Sequence, residues 1–499
     1  MRRWIAEHGL VDGWSLEPDA TLHLEDTYFD TEDWRIFRAG YALRLRAESG
    51  RWEATLKSLR SASAELADRR ELREDVDSPT ADWTLESHGP VATRVLAVRG
   101  TSELRPLFEI RTTRQRFAVK RPEAVDAEGE IALDESVLSR PDGEATARVR
   151  RVELEALAAE PDSLRTLATA LREQCGLESP GENKFSLGLK SVGLVPVPAP
   201  VFVPTAVTGT MTMPDVALAN LRRHVQSWYL HESGARLGDD PEELHELRVA
   251  VRRVDALVRD FRGSLTARKE LRPVLKRVLR VLGEARDLDV ALGELDAFGR
   301  ELSSLERQQL EPLRRHLSSE RDRARVAMVE MLDSPPVRQE LLALTQLLGE
   351  PAVTGEAVRR GAPTMLRKRY RRLRKAAERL RVDASAETHH ALRGEVKKLR
   401  YALEAVAVIY GKPGDAMLRS LRRLQERLGV HQDAAVAAHR LQELAAAPPS
   451  GILAPTVFLM GRLAEHHERV AARARESNAG KRRRLRGRWK RLRTEFGEE

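Results

Sequence analysis

The hydrophobic and polar positions follow two different periods along the chain. Before residue 195, short runs alternate every second residue. In Leu43-Arg44-Leu45-Arg46 this puts both arginines on one face of a strand and both leucines on the other. After residue 210, apolar residues recur every three or four positions almost to the end. The order predicts a multidomain chain, in which an N-terminal β-rich domain precedes an all-α domain.

A proline-rich segment separates the two patterns. The run Val195-Pro196-Val197-Pro198-Ala199-Pro200-Val201-Phe202-Val203-Pro204 is typical of an extended, semi-rigid linker. We therefore expect a first domain at residues 1–194, a linker at 195–209 and a helical domain at 210–495.

Four of the predicted strands each place two charges of one sign on one face. The pairs are Arg44 with Arg46, Arg114 with Arg116, Glu130 with Asp134, and Glu153 with Glu155. A solvated sheet face explains any single pair, whereas a closed barrel with an apolar outside and a charged lumen explains all four. In such a lumen arginine suits phosphate oxygens, and carboxylates suit Mg²⁺ or Mn²⁺.

Three runs resemble the CYTH domain, also called the triphosphate tunnel metalloenzyme family. They are Asp26-Thr27-Tyr28-Phe29-Asp30-Thr31, Ile36-Phe37-Arg38-Ala39-Gly40-Tyr41-Ala42-Leu43-Arg44-Leu45-Arg46 and Ala54-Thr55-Leu56-Lys57. The resemblance covers roughly residues 1–192 and implies an eight-stranded antiparallel barrel that hydrolyses triphosphates with a divalent metal. It implies a basic catalytic set of Arg44, Arg46, Lys57, Arg114, Arg116 and Lys184. It implies a metal-binding set of Glu130, Asp134, Glu153 and Glu155, with Mg²⁺ or Mn²⁺ as the cofactor.

The first strand of that family carries a Glu-x-Glu-x-Lys motif, which this sequence lacks at its start, Met1-Arg2-Arg3-Trp4. Either the given start lies after this strand or the strand is absent. Its absence would leave a barrel with two unpaired edges and a depleted metal site. In that case we expect weak or no inorganic triphosphatase activity, with anion binding retained.

Two stretches of the helical part match each other. His245-Glu246-Leu247-Arg248-Val249-Ala250-Val251-Arg252-Arg253 corresponds to His390-Ala391-Leu392-Arg393-Gly394-Glu395-Val396-Lys397-Lys398, 145 residues later. The runs that begin at Leu275 and Leu421 match at an offset of 146. We therefore expect an internal repeat, at about 240–300 and 385–445, within a helical bundle.

Each copy has a histidine and two cations at positions i, i+3 and i+7 of a helix, which form one stripe. The stripes are His245, Arg248 and Arg252 in the first copy and His390, Arg393 and Lys397 in the second. Pseudo-symmetry would allow both stripes to line one groove. Facing cations repel, so we expect a polyanion to fill that groove.

The duplicated part resembles the CHAD domain, a conserved histidine α-helical domain, over roughly residues 210–495. The resemblance implies binding of inorganic polyphosphate through basic residues. In the first copy these are His245, Arg248, Arg252, Arg253, Lys276 and Arg277, and in the second copy His390, Arg393, Lys397, Lys398, Arg422 and Arg423. Two departures are Gly394 inside a helix and Ala434-Ala435 where the first copy has Leu288-Asp289.

Composition and charge limit the classes of binding partner that the sequence favours. The net charge of +9 is uneven: residues 1–200 hold 28 Lys and Arg against 36 Asp and Glu, whereas the remainder holds 57 against 40. The basic excess of the second part favours a polyanion. With one cysteine, no signal-peptide core near Met1 and no run of 18 apolar residues, we expect a cytoplasmic protein without a membrane partner. Polyphosphate granules are the location that a polyphosphate ligand implies.

Two functions stay open at this point. The first is inorganic polyphosphate binding, with metal-dependent hydrolysis of triphosphate or polyphosphate in the first domain. The alternative is non-specific nucleic-acid binding by the basic helices. Only 5% of residues are aromatic, which gives no stacking platform for single strands, and no helix-turn-helix or zinc spacing occurs.

Overall fold

The computed structural model describes residues 5, 10–11, 14–59, 71–77, 83–121, 126–157, 164–178, 181–265, 270–350, 354–379, 386–476 and 481–496. The chain divides into two compact units, Met1–Ala199 and Pro200–Glu499. The division falls inside the proline-rich segment. The start of the chain, Met1 to Trp4, where the family's Glu-x-Glu-x-Lys motif is missing, lies outside the described residues.

The first unit is built on one antiparallel sheet. Its strands are β1 (Leu10–Val11), β2 (Trp14–Thr31), β3 (Tyr41–Glu48), β4 (Arg51–Ser58), β5 (Glu71–Val76), β6 (Leu104–Lys120), β7 (Gly129–Ser139) and β8 (Ala145–Ala156). The order is β5-β4-β3-β2-β6-β7-β8, and β1 pairs with β2. Long β2 and β6 form the centre of the sheet and share most of their length.

The predicted antiparallel sheet is confirmed, but the expected closed barrel is not what the described residues form. Strands β5 and β8 lie at opposite ends of the strand order, and within the described part of the chain they do not pair with each other. Seven strands in a row leave one edge at each end unless those edges meet or another strand joins them. The described sheet is therefore open.

The short helices of the described part of this unit include α1 (Arg35–Arg38), α2 (Trp83–Glu86), α3 (Pro90–Arg99), α4 (Arg165–Cys175) and α5 (Lys184–Ser191). Helix α5 lies against β6, where a Cβ on Gly188 would be 2.1 Å from the ring of Phe108. Only glycine allows this close approach. Asn183 caps α5 by accepting a hydrogen bond from the Ser186 amide, which fixes the first residue of the helix, Lys184, beside the sheet.

The second unit is helical. Its helices are α6 (Met213–Leu237), α7 (Pro241–Asp260), α8 (Leu271–Arg300), α9 (Ser304–Asp333), α10 (Pro335–Gly349), α11 (Val358–Glu378), α12 (Ala386–Glu404), α13 (Gly411–Ala446), α14 (Ala454–Glu476) and α15 (Lys481–Thr494), with a 3₁₀ turn at Ala407–Tyr410. None of the described helices is long and apolar enough to cross a membrane. An apolar stripe is buried in both copies, with Leu247, Val251 and Val254 matching Leu392, Val396 and Leu399.

The repeat is visible in the backbone as well. The amide of Met213 donates to the carbonyl of Glu356 at 2.8 Å, and the amide of Val358 donates to the carbonyl of Met211 at 2.9 Å. These four residues occupy equivalent places in the two copies, because the repeat offset separates Met211 from Glu356 and Met213 from Val358. Such reciprocal contacts are the mark of a two-fold relation. The axis passes between Thr212 and Ala357, which form the antiparallel bridge.

Candidate anion-binding sites

Strand register places all the charged residues predicted for the first unit's strands on one face of the sheet, since cross-strand partners share a face and alternate residues point the same way. We call this the polar face. Its charged members include Asp26, Arg44, Arg46, Glu53, Lys57, Glu71, Arg73, Arg114, Arg116, Glu130, Asp134, Glu153 and Glu155.

At the centre of the polar face, Arg46 binds Asp26 through two hydrogen bonds, with Nε 2.7 Å from Oδ1 and Nη2 2.9 Å from Oδ2. Nε of Arg44 lies 3.8 Å from the same carboxylate. Burial alone would raise the pKa of Asp26, but the hydrogen bonds from Arg46 and the charge of Arg44 hold it below its ordinary value. Asp26 therefore fixes the direction of both predicted arginines.

Arg114 of β6 and Lys184 of α5 each hold the same two carboxylates, Asp134 of β7 and Glu153 of β8. Arg114 lies 2.8 Å from Asp134 and 2.6 Å from Glu153, and Nζ of Lys184 lies 2.7 Å and 2.9 Å from them. Burial would raise the pKa values of Asp134 and Glu153, but these cations keep both below their ordinary values. The four side chains form a charge-balanced cluster.

Cations also pair with carboxylates in the outer parts of the polar face. Arg116 lies 2.9 Å from Glu130, and Lys57 lies 3.1 Å from Glu71. Arg114, Arg116 and Lys184 therefore pair with acids of the predicted metal-binding set. Arg44, Arg46 and Lys57 pair instead with Asp26 and Glu71, which the sequence did not single out.

A divalent metal does not fit the predicted acidic set in this arrangement. Asp134 and Glu153 are already neutralised by Arg114 and Lys184. Across the residues that the structure describes, no three carboxylates of this set bring ligand atoms within 4.8 Å of one another. Because Mg²⁺ and Mn²⁺ need several oxygen ligands at once, we derive no metal-dependent step. Binding of Mg²⁺ or Mn²⁺ by Glu130, Asp134, Glu153 and Glu155 stays a prediction.

In the helical unit, four predicted cations from the two copies come together, and we call them the four-cation cluster. They are Arg248 and Arg252 of α7 with Arg393 and Lys397 of α12. Burial, together with the charges of Arg393 and Arg252, lowers the pKa of Lys397 to about 7. Burial and the charge of Arg252 likewise lower the pKa of Arg248. The amine of Lys397 therefore titrates near neutral pH.

Two glycines make room for the arginines of the cluster. A Cβ on Gly283 of α8 would lie 3.2 Å from Nη2 of Arg248, and a Cβ on Gly429 of α13 would lie 3.4 Å from Nη2 of Arg393. The two glycines are related by the repeat offset, as are the two arginines. Each guanidinium thus lies against the bare backbone of the following helix.

The cluster carries less negative charge than positive. Arg393 pairs with Asp433 at 3.1 Å. Asp287, the equivalent of Asp433, has its pKa raised by burial, although Arg248 opposes that shift. The Nε atoms of Arg248 and Arg393 are buried and have no hydrogen-bond partner in the described part of the chain. Unfilled buried donors of this kind favour an added acceptor.

Two family models match this chain. The family model of the CYTH domain matches residues 5–186, and that of the CHAD domain matches residues 219–442. The chain contains a CYTH domain and a CHAD domain. Its first unit is the CYTH domain, and its second unit contains the CHAD domain.

Solved structures resemble each unit. The CHAD domain of the plant Ricinus communis is 26% identical, covers 55% of this chain and 95% of its own, and gives a TM-score of 0.46. PptA from Streptomyces chartreusis is 20% identical, with 56% and 100% coverage and a TM-score of 0.44. A Hippeastrum adenylyl cyclase candidate, described as having a dominant triphosphatase activity, is 19% identical, with 36% and 86% coverage and a TM-score of 0.28.

Other predicted CHAD residues lie outside the four-cation cluster. His245 sits at the start of α7 with Glu242 and Glu246, whose ligand atoms lie within 4.8 Å of its own. Lys398 pairs with Glu395 at 2.6 Å. The remaining exposed members are His390, Lys276, Arg277 and Arg423. The structure brings together the two cations of each stripe but gives the histidines no contact with them among the described residues.

Arg253 and Arg422 converge on a residue that sequence reasoning missed, Glu404. Nη2 of Arg422 lies 3.2 Å from Oε1 of Glu404, and Nη2 of Arg253 lies 3.7 Å from Oε2. The repeat gave no signal for Glu404, because its equivalent in the first copy is Arg259. On the polar face, Asp26 was missed as a binding partner although it stands in the quoted motif.

Proposed function

We propose that this protein binds inorganic polyphosphate through the four-cation cluster of its CHAD unit. The observation that supports this most is the meeting of Arg248, Arg252, Arg393 and Lys397 from two copies of one repeat. A linear polyanion offers repeated acceptors to cations that come from both sides of a two-fold axis.

The energetics favour a strongly charged ligand. Like charges in a partly buried site repel one another far more than in water, where the interaction at 4 Å is only about 1 kcal/mol. Asp287 and Asp433 offset part of this repulsion. A phosphate chain would relieve the rest and supply acceptors to the unfilled Nε atoms of Arg248 and Arg393.

For the CYTH unit we propose binding of a triphosphate or of a polyphosphate segment by the polar face. The basic members of that face are Arg44, Arg46, Lys57, Arg114 and Arg116, with Lys184 beside them. Phosphate oxygens would replace carboxylates as partners of Arg114 and Lys184. The ion pairs that engage Asp134 and Glu153 restrict the proposal to binding, without a hydrolytic step.

The CHAD proposal is tested by competition at fixed ionic strength, because both polyphosphate and nucleic acid bind in a salt-dependent way. Labelled polyphosphate is bound to the full chain, and unlabelled polyphosphate or an oligonucleotide is added at equal phosphate concentration. Polyphosphate should displace the label at a far lower concentration. Preferential displacement by the oligonucleotide would instead support binding of nucleic acid by the exposed basic face of α11, which includes Arg367, Lys368 and Arg371.

The CYTH proposal is tested by two measurements on the same preparation. Tripolyphosphate should bind, and binding should weaken in Arg114→Ala. With Mg²⁺ or Mn²⁺, the wild-type protein should release phosphate from tripolyphosphate no faster than the Glu153→Gln variant does. Robust release that Glu153→Gln abolishes would show an active triphosphatase and overturn the restriction to binding.

A further inference from the structure

A polar cavity lies in the CHAD unit. Its volume is about 170 Å³, and helices α6, α7, α12 and α13 contribute its walls. The charged and polar side chains that line it include Arg223, His224, Arg253, Tyr401, Glu404 and Arg422. The volume is below the range of roughly 300–1,000 Å³ that is typical of sites for drug-sized ligands. It suits a compact ion.

Glu404 is the only acid among the residues that line this cavity, and one of its oxygens is unused. Oε1 accepts hydrogen bonds from Arg400 at 2.9 Å and from Arg422 at 3.2 Å. Oε2 is buried and accepts no hydrogen bond from any described residue. A buried carboxylate oxygen of this kind is stabilised by a ligand that donates a proton to it.

The same cavity also holds an unused donor. Nε of Arg253 is buried and donates to no described acceptor, while its Nη2 atom lies 3.7 Å from Glu404. Arg223 and Arg422 add two more guanidinium groups to the lining. A ligand that satisfies the cavity must therefore be an anion with several acceptor oxygens.

His224 adds no charge to this balance at neutral pH. Burial lowers its pKa to about 3, and the charges of Arg253 and Arg223 act in the same direction. Three guanidinium groups and one carboxylate thus line the cavity, beside a neutral imidazole and the phenol of Tyr401.

We infer that this cavity binds a hydrogen phosphate group, with Glu404 as the specificity-determining residue that accepts the ligand's P–OH proton. The arginines would hold the other phosphate oxygens. Two sources share this chemistry: free inorganic phosphate and the terminal phosphate of a polyphosphate chain. The chain-end source rests on the proposed function, and Arg252 and Arg253, adjacent on α7, link the cluster to the cavity.

Protonation is what distinguishes the expected ligand from its closest analogues. A terminal phosphate loses its second proton with a pKa near 6, so a large fraction carries P–OH at pH 6. Interior phosphates of a chain are fully ionised at that pH and have no proton to donate. Sulfate has the shape of phosphate but is also unprotonated. A carboxylate at the bottom of the site rejects both, because it would face an unprotonated oxygen.

The first test compares inorganic phosphate with sulfate by calorimetry on the full chain at pH 6. Phosphate should bind at least about tenfold more tightly than sulfate, the loss expected when a charged hydrogen bond is replaced by repulsion. Glu404→Gln should lose this preference, since its amide can donate to either anion. Glu426→Gln, at an exposed position of α13, is the matched control and should keep it. Equal affinity of the wild-type protein for the two anions would overturn the inference without any variant.

The second test separates the two sources. Linear tripolyphosphate and cyclic trimetaphosphate each carry three phosphorus atoms, but only the linear form has chain ends. Glu404→Gln should weaken binding of linear tripolyphosphate and leave binding of cyclic trimetaphosphate unchanged. An equal effect on both would overturn chain-end recognition. The variant Arg248→Ala/Arg393→Ala should lose binding of long-chain polyphosphate but keep the preference of the cavity for phosphate over sulfate. Failure of the proposed function is therefore distinguishable from failure of this inference.

Discussion

Arg248 and Arg393 stand at equivalent positions of two helical repeats, and each lies against a glycine of the next helix. Their charges act on each other and on Lys397, although the two arginines are far apart in sequence. This convergence is the structural basis for proposing one shared polyanion site.

Replacing both arginines with alanine should weaken polyphosphate binding strongly. A hydrogen bond to a charged group contributes about 1.5–3 kcal/mol, so each loss corresponds to roughly 10–100-fold in affinity. The matched control is Arg488→Ala/Arg491→Ala, two exposed arginines of α15. Binding is measured by fluorescence anisotropy with labelled polyphosphate at constant salt. Equal losses in the two variants would mean a diffuse positive field and no defined site.

Lys397 predicts a pH dependence of binding. Its free-state pKa of about 7 means that the amine loses its proton above neutral pH. A bound polyanion favours the ammonium form, so binding takes up a proton and affinity should fall as pH rises above 7. One linked proton limits the fall to about tenfold per pH unit.

The variant Lys397→Arg is the control for the predicted pH dependence of polyphosphate binding. Lys397→Arg keeps its charge across the range, and its affinity should change little between pH 7 and 9. Titrations at fixed ionic strength measure both proteins. The same slope in wild type and Lys397→Arg would assign the pH dependence to another group.

Gly283 should matter for binding more than for stability. A Cβ at this position would press on the end of the flexible Arg248 side chain and displace its guanidinium. In Gly283→Ala we therefore expect weaker polyphosphate binding. Gly293 lies on the same helix and has nothing within 4 Å of its built Cβ, so Gly293→Ala is the control. Both changes should raise helix stability by up to about 1 kcal/mol, and only the first should reduce affinity.

The sequence predicted the two units, the antiparallel sheet and the duplicated helices, because periods of two and three to four residues are local properties of the chain. Pairing of charges was harder to predict. Alternation within each strand shows which residues share a face with Arg114 or with Asp134. Only the strand register shows that these two residues are cross-strand neighbours. The sequence pattern therefore suggested separate basic and acidic sets, whereas the polar face interleaves them.

The candidate site of the CHAD unit was partly predictable for a related reason. Residues that occur in both copies, such as Arg248 and Arg393, stood out through the repeat. Glu404 and Tyr401 have Arg259 and Ala256 as equivalents, so the repeat concealed them. Their roles depend on contacts between helices that no short sequence window contains.

In the CYTH unit, Arg114 should be a large contributor to stability. Its removal as Arg114→Met leaves Asp134 and Glu153 with Lys184 as their shared cation, and breaking a buried pair costs about 3–5 kcal/mol. Arg105 pairs with Glu32 at an exposed position, where an ion pair contributes about 0–1 kcal/mol. Chemical unfolding of the full chain, followed by a probe in the first unit, compares Arg114→Met with Arg105→Met. Similar small losses would show that the interleaved pairs do not stabilise the sheet.

The most direct test of a shared polyanion site is a double-mutant cycle on polyphosphate binding with Arg248→Ala, Arg393→Ala and the double variant. If one chain contacts both arginines, the effects should couple by more than about 0.5 kcal/mol, with one chain bound per protein. Purely additive effects, together with two independently bound chains, would contradict convergence of the two repeats on a single anion.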